Sequence, residues 1–154
     1  MQPYLLPPTE RIRHWRELRF SLTEDQTDEK QLLTVATYWQ QFPISMFYLD
    51  VDRPKYWPSP WQVLFDGDYC RSTLAYLMEQ TLFMSSDDRW NAERLHLMLI
   101  DDCLKSEVFM ILVADNKYVV NYSQNEIINF DFIKKNCIIQ HEYKAITRHK
   151  HIIT

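Results

Sequence analysis

Apolar residues Ile12, Trp15, Leu18 and Leu22 recur at helical spacing, so the pattern predicts a helix over residues 10–22, capped by Thr9. Its other face carries Arg11, Arg13, Arg16 and Arg19. A polar linker, 23–27, leads to a second helix over 28–42. Leu32, Leu33, Ala36 and Trp39 form its buried stripe, and Pro43 ends it. The apolar run 44–52 fits either a continued helix or an extended piece, and 50–54 reads as a turn. A helix over 69–84 carries Cys70, Leu74, Leu77, Met78 and Thr81 on one stripe, and residues 85–88 break it.

From there the period changes to that of strands. Residues 95–100 are apolar on both faces, as in a sheet covered twice. Strands over 108–113 and 118–122 are joined by a hairpin turn at Asp115-Asn116. Residues 126–132 read as a fourth short strand or a turn, and 137–146 as the last strand. Helices first and antiparallel strands after predict an α+β fold, with N-terminal helices packed on a C-terminal antiparallel sheet. The 154 residues fit one domain. Residues 1–8, with Pro3, Pro7 and Pro8, read as an extended arm. Residues 147–154 read as a basic tail.

The segment from Trp57 to Arg71 concentrates the candidate chemistry. Ser59 is a good N-cap, Pro60 suits the first helical position, and Gln62 stands where a capping box needs it. A short helix should run over 60–65 and stop at Gly67 in the left-handed conformation. Asp68 can cap the next helix. Cys70 then falls in its first turn, where free N–H groups and the helix dipole favour a thiolate. Thiol catalysis needs a thiolate, a base and a group that orients the base. Cys70, His96 and Asp115 or Asn116 are the candidates, with Trp61 or Gln62 as a donor to an oxyanion. Each has a plain reading too. Cys70 lies on an apolar stripe, His96 lies in an apolar strand, and Asp115-Asn116 suits a turn by its chemistry alone.

Composition narrows the classes. A single glycine excludes a P-loop, a dinucleotide fingerprint and a kinase-type loop. A net charge of −4 disfavours nucleic-acid binding by the whole surface. No apolar run reaches membrane-spanning length, and no secretory signal is visible, so synthesis in a reducing cytoplasm with free thiols is expected. Cys103, Cys137 and His141 lack metal-ligand spacing, so neither metal nor cofactor is expected. Asp87-Asp88 and Asp101-Asp102 are acidic pairs that read as solvated loops. Arg11, Arg13, Arg16, Arg19 and Trp57 are the candidates for contact with a protein partner or a second copy.

Residues 38–82 resemble a family of uncharacterised proteins from large contractile-tailed phages. The resemblance rests on Tyr38-Trp39 before Phe42-Pro43, on Trp57-Pro58-Ser59-Pro60-Trp61, and on Tyr69-Cys70 with the helix through Thr81-Leu82. It implies a phage origin, host cytoplasm during synthesis and a virion as destination, and it leaves the biochemical role open. The layout also resembles the transglutaminase-like branch of the papain-like cysteine fold. That family has a Cys at a helix N-terminus, a His on a strand and an Asp or Asn on the next strand, matched by Cys70, His96 and Asp115. The chain departs from it in having Tyr69 where a glycine precedes the Cys, and Leu97 where an aromatic follows the His. Two functions follow as expectations. The first is a non-catalytic tailed-phage protein, a virion component or assembly partner of other phage structural proteins. The alternative is cysteine-dependent acyl transfer or amide hydrolysis using Cys70 and His96.

Overall fold

The structure is a computed structural model and describes residues 2–45 and 49–145. Helices come first: α1 (Pro8–Ser21), α2 (Asp28–Gln40), α3 (Pro60–Asp66) and α4 (Arg71–Phe83). Strands β1 (Leu95–Asp102), β2 (Glu107–Ala114), β3 (Tyr118–Ser123) and β4 (Glu126–Asn129) follow, then α5 (Phe130–Asn136) and β5 (Cys137–Tyr143). The strands form one antiparallel sheet in the order β4-β3-β2-β1-β5. The α+β expectation of helices packed on an antiparallel sheet holds.

Several element ends carry their expected signals. The Thr27 hydroxyl accepts the Lys30 N–H at the start of α2, and Ser59 accepts the Gln62 N–H at the start of α3. Gly67 ends α3 at φ 78°, and the Arg11 side chain donates to the Leu64 and Phe65 carbonyls there. At the β2–β3 hairpin both Asp115 and Asn116 have positive φ, as a two-residue turn of the primed type requires.

Four expectations change. Within the arm expected over residues 1–8, Pro3–Leu5 is a 3-10 turn rather than extended, Pro3 is buried and the Tyr4 ring packs at a tilt against Phe42. Thr9 does not cap α1, which begins at Pro8 after an N-cap at Pro7. Leu33 faces outward, and the α2 stripe is completed by Val35 instead. Residues 126–132 divide into β4 and the start of α5, because the Asn129 side chain accepts the Asp131 N–H and begins a helix. Of the run 44–52, Ile44, Ser45, Leu49 and Asp50 are not helical, and residues 46–48 lie outside the described residues. So does the tail over 147–154.

The sheet is covered on both faces, as the doubly apolar first strand predicts. Leu95, Leu97, Met110 and Leu112 face α1–α4, while Met98, Ile100, Ile111 and Val113 face α5 through Phe130 and Ile133. Helix α4 is buried on all sides from Thr73 to Leu82, which makes it the centre of the helical layer. Inside that layer the Thr81 hydroxyl accepts from the indole N–H of both Trp15 and Trp39, at 2.8 and 3.0 Å, and donates to the Leu77 carbonyl.

Candidate functional site

Cys70 owes its place to Ser45. The Ser45 N–H donates to the Tyr69 carbonyl at 2.7 Å, and the Tyr69 N–H donates to Ser45 Oγ at 3.0 Å. This holds Tyr69 out of the helix, so α4 begins at Arg71 and Cys70 is its N-cap rather than a first-turn residue. Asp68 therefore caps nothing. The thiol takes the capping role: Cys70 Sγ accepts the Thr73 N–H at 3.4 Å and lies 3.0 Å from Thr73 Oγ1. It lines a cleft of about 460 Å³ with Ile44, Leu49, Leu99, Val108 and Glu107.

His96 is not in that cleft. Alternation along β1 puts Leu95, Leu97 and Leu99 on the helical face with Cys70, and puts His96 with Met98 on the face of α5. The imidazole Nε2 donates to the Glu93 carbonyl at 3.0 Å, and Nδ1 lies 3.2 Å from a Glu142 carboxylate oxygen. Of β1, Leu99 is the residue that lines the cleft beside Cys70. Nor does Asp115 orient His96. Its two carboxylate oxygens accept from Nε and Nη2 of Arg94 at 2.8 and 2.7 Å, and its turn conformation explains the residue type. Asn116 shares that turn. His96 lies on the expected strand and Asp115 in the expected turn, Cys70 stands just ahead of the first turn of α4, and the sheet separates Cys70 from His96.

The other candidates disperse as well. Trp61 and Gln62 do not line the cleft. Trp61 stacks edge-on against Trp15, and Gln62 Nε2 donates to Asp66 on the surface of α3. Trp57 is buried, donates its indole N–H to the Asp50 carbonyl and packs on Tyr76 and Tyr143, so it is a core anchor rather than a contact residue. Two of the four arginines are used within the fold. Arg11 serves the carbonyls of Leu6, Leu64 and Phe65, and Arg19 lies over the Trp15 ring at 4.2 Å. Arg13 and Arg16 are exposed.

A second opening adjoins the first and was not legible beforehand. After Val119 strand β3 parts from β2, and the Asn121 side chain bridges the gap. It accepts the Leu112 N–H at 2.8 Å and donates to the Met110 carbonyl at 3.0 Å. The opening, about 440 Å³, is lined by Asn121, Tyr122 and Ser123 of β3, shares Ile44 and Arg71 with the Cys70 cleft, and has Leu74 and Met78 of α4 on its wall. Arg71 reaches to the Phe109 ring, 3.7 Å away, and donates to Glu107 at 2.7 Å. Lys105 Nζ lies 4.0 Å above the Tyr122 ring and donates to the Tyr122 carbonyl. These residues come from a helix start, a turn and two strands, so no local spacing announces them. The nearest signal is that Arg71 follows Cys70 directly.

Beneath this opening Asp102 is fully buried. Burial alone would raise its carboxyl. The Tyr122 hydroxyl, the Lys105 and Leu104 amides and the Lys105 charge outweigh burial and hold it below the usual carboxylate range. The tyrosine acts through proximity, without a full hydrogen bond to the enclosed Oδ2. Burial, then Asp102, pushes the Cys137 thiol up to about 11. Among the described residues no group of three or more His, Cys, Asp or Glu side chains is placed to hold a metal ion. Nor is any of their helices long and apolar enough to cross a membrane.

No protein-family model matches the chain, and no curated protein matches it. Among solved structures the chain is similar in fold to LapG of Legionella pneumophila. The EGTA-treated form is 17% identical with a TM-score of 0.73, over 90% of this chain and 74% of that one. The calcium-bound form has the same identity and TM-score, over 94% and 80%. At such identity the likeness is one of fold, and it is the transglutaminase-like/papain-like fold that the sequence layout resembles.

Proposed function

We propose that this chain binds an extended segment of a partner polypeptide in the Cys70 cleft, on a scaffold of the cysteine-hydrolase type, without a Cys70–His96 reaction. The observation that carries this reading is the placement of the two side chains on opposite faces of the sheet. Among the described residues that line the cleft beside this thiol, which caps its own helix, there is no imidazole. The cleft offers what an extended segment needs. Ile44 and Val108 are 57% and 53% exposed along it, and the Arg71–Glu107 ion pair stands at its edge. Exposed apolar surface bordered by charge is typical of a binding groove. The phage resemblance, which rests on residues 38–82 alone, makes a virion or assembly protein the partner. In that case exposed Arg16 is the arginine left to meet its acidic surface, since Arg13 is paired with Glu10 one turn away.

A second reading is cysteine-dependent acyl transfer or peptide hydrolysis at Cys70. The fold likeness to LapG fits this reading better than it fits a virion role. Its base would be His141 on β5, whose register partner on β1 is Leu99 and which therefore shares the sheet face of Cys70. Brief iodoacetamide treatment at neutral pH with mass mapping separates the two. The binding reading expects exposed Cys103 to label first, Cys70 no faster, and Cys137 last. Labelling of Cys70 about tenfold faster than Cys103, lost in His141→Ala, would overturn it in favour of hydrolysis.

A further inference from the structure

We propose that the opening lined by α4, Lys105 and the end of β3 is a carboxylate subsite, which takes a Glu or Asp side chain of the polypeptide bound in the Cys70 cleft. This rests on the polypeptide-binding reading above. The two spaces share Ile44 and Arg71, so one extended segment can cross both. The wall of Leu74 and Met78 suits the stem of such a side chain.

The charge is one-sided. Arg71 and Lys105 line the opening, and among its described lining residues there is no carboxylate. Glu107 takes one Arg71 nitrogen, Nη1. Nε and Nη2 have no hydrogen-bond partner among the described residues, and the guanidinium face rests on Phe109. A planar fork held by its face against a ring, with part of its edge unfilled, is suited to a carboxylate. Lys105 spends one Nζ donor on the neutral Tyr122 carbonyl, and its charge also acts on the buried Asp102. The neutral polar groups nearby are already used. Asn121 bridges β2, and Gln40 donates to the Ser123 carbonyl while accepting the Asn125 N–H.

The test uses the full chain and two pools of fluorescein-labelled pentapeptide amides. Glu or Gln is fixed at the third position and the other four positions are mixed apolar residues. Binding is read by fluorescence anisotropy at low and high salt. The Glu pool should bind about tenfold more tightly than the Gln pool, as one charge-assisted contact in a partly dry site provides, and the advantage should shrink with salt. Lys105→Gln should bring the Glu pool to within about twofold of the Gln pool and leave the Gln pool unchanged, and Arg71→Gln should also bring the two pools to within about twofold of each other. Lys105 is exposed, so its variant decides the matter if the Arg71 variant does not fold. Equal binding of the two pools, or a Glu preference that survives both substitutions, overturns the carboxylate subsite and leaves the polypeptide cleft standing. Failure of both pools to bind overturns both readings.

Discussion

At the scale of single residues, the hydroxyl of Thr81 does what the apolar stripe around it cannot. It satisfies the indole N–H groups of Trp15 and Trp39, both fully buried, and returns its own proton to the Leu77 carbonyl. Thr81→Val keeps the volume and leaves two buried donors unpaired. It should therefore destabilise the chain by about 2–4 kcal/mol, since an unsatisfied buried polar group costs roughly 1–3 kcal/mol. Urea unfolding of the variant measures this, and a loss under about 0.5 kcal/mol would refute the role. Helical spacing placed Thr81 on the buried stripe, but the two tryptophans that meet it come from helices 66 and 42 positions away. Trp57 is similar: beside Pro58 it suits either a core anchor or an interface, and Tyr76 and Tyr143, far along the chain, make it the former.

At the scale of elements, local chemistry decides ends and long-range bonds shift them. Ser59, Pro60 and Gly67 set the limits of α3 as their types require. The start of α4 moved because Ser45, 24 positions earlier, bonds the backbone of Tyr69. Asn121 acts on two strands at once by replacing ladder bonds where β3 leaves β2. Asn121→Ala should leave the Leu112 N–H and Met110 carbonyl unpaired and cost about 2–4 kcal/mol. Hydrogen exchange should report it as faster exchange of the Leu112 amide than in the parent chain. If that amide stays as protected as before, the side chain is not the bridge.

At the scale of the whole molecule, ion pairs join distant segments. Asp28 at the start of α2 accepts from Arg89 at 2.9 Å and Arg94 at 2.7 Å, and Arg94 also holds Asp115 in the β2–β3 turn. Burial would raise the Asp28 carboxyl, but the two arginines outweigh it and hold it below its ordinary value. Asp102 is lowered too. A carboxyl with a lowered folded pKa adds stability that is fully present above its unfolded value, about pH 4, and lost as pH falls through the folded value. Stability should thus hold from about pH 7 to 5 and decline below pH 4. Urea midpoints across that range should show a shallower decline for Asp28→Asn. An identical acid slope would show that Asp28 is not one of the groups responsible.

The sequence by itself determined the α+β class, the run of helices before strands, the cap of α3, and the left-handed stop at Gly67. Each rests on residues within a few positions of one another, where backbone preference and apolar period decide. It also placed Cys70 at the beginning of a helix and His96 on a strand. Only the tertiary structure decided that these two do not meet. The period-two alternation of β1 sends Leu99 to the helical face and His96 to the other, and which face is which depends on how the sheet docks on α4. The same holds for Arg71 and Lys105, which line one opening although one begins α4 and the other stands in the β1–β2 turn, because packing of α4 against the sheet brings those two places together.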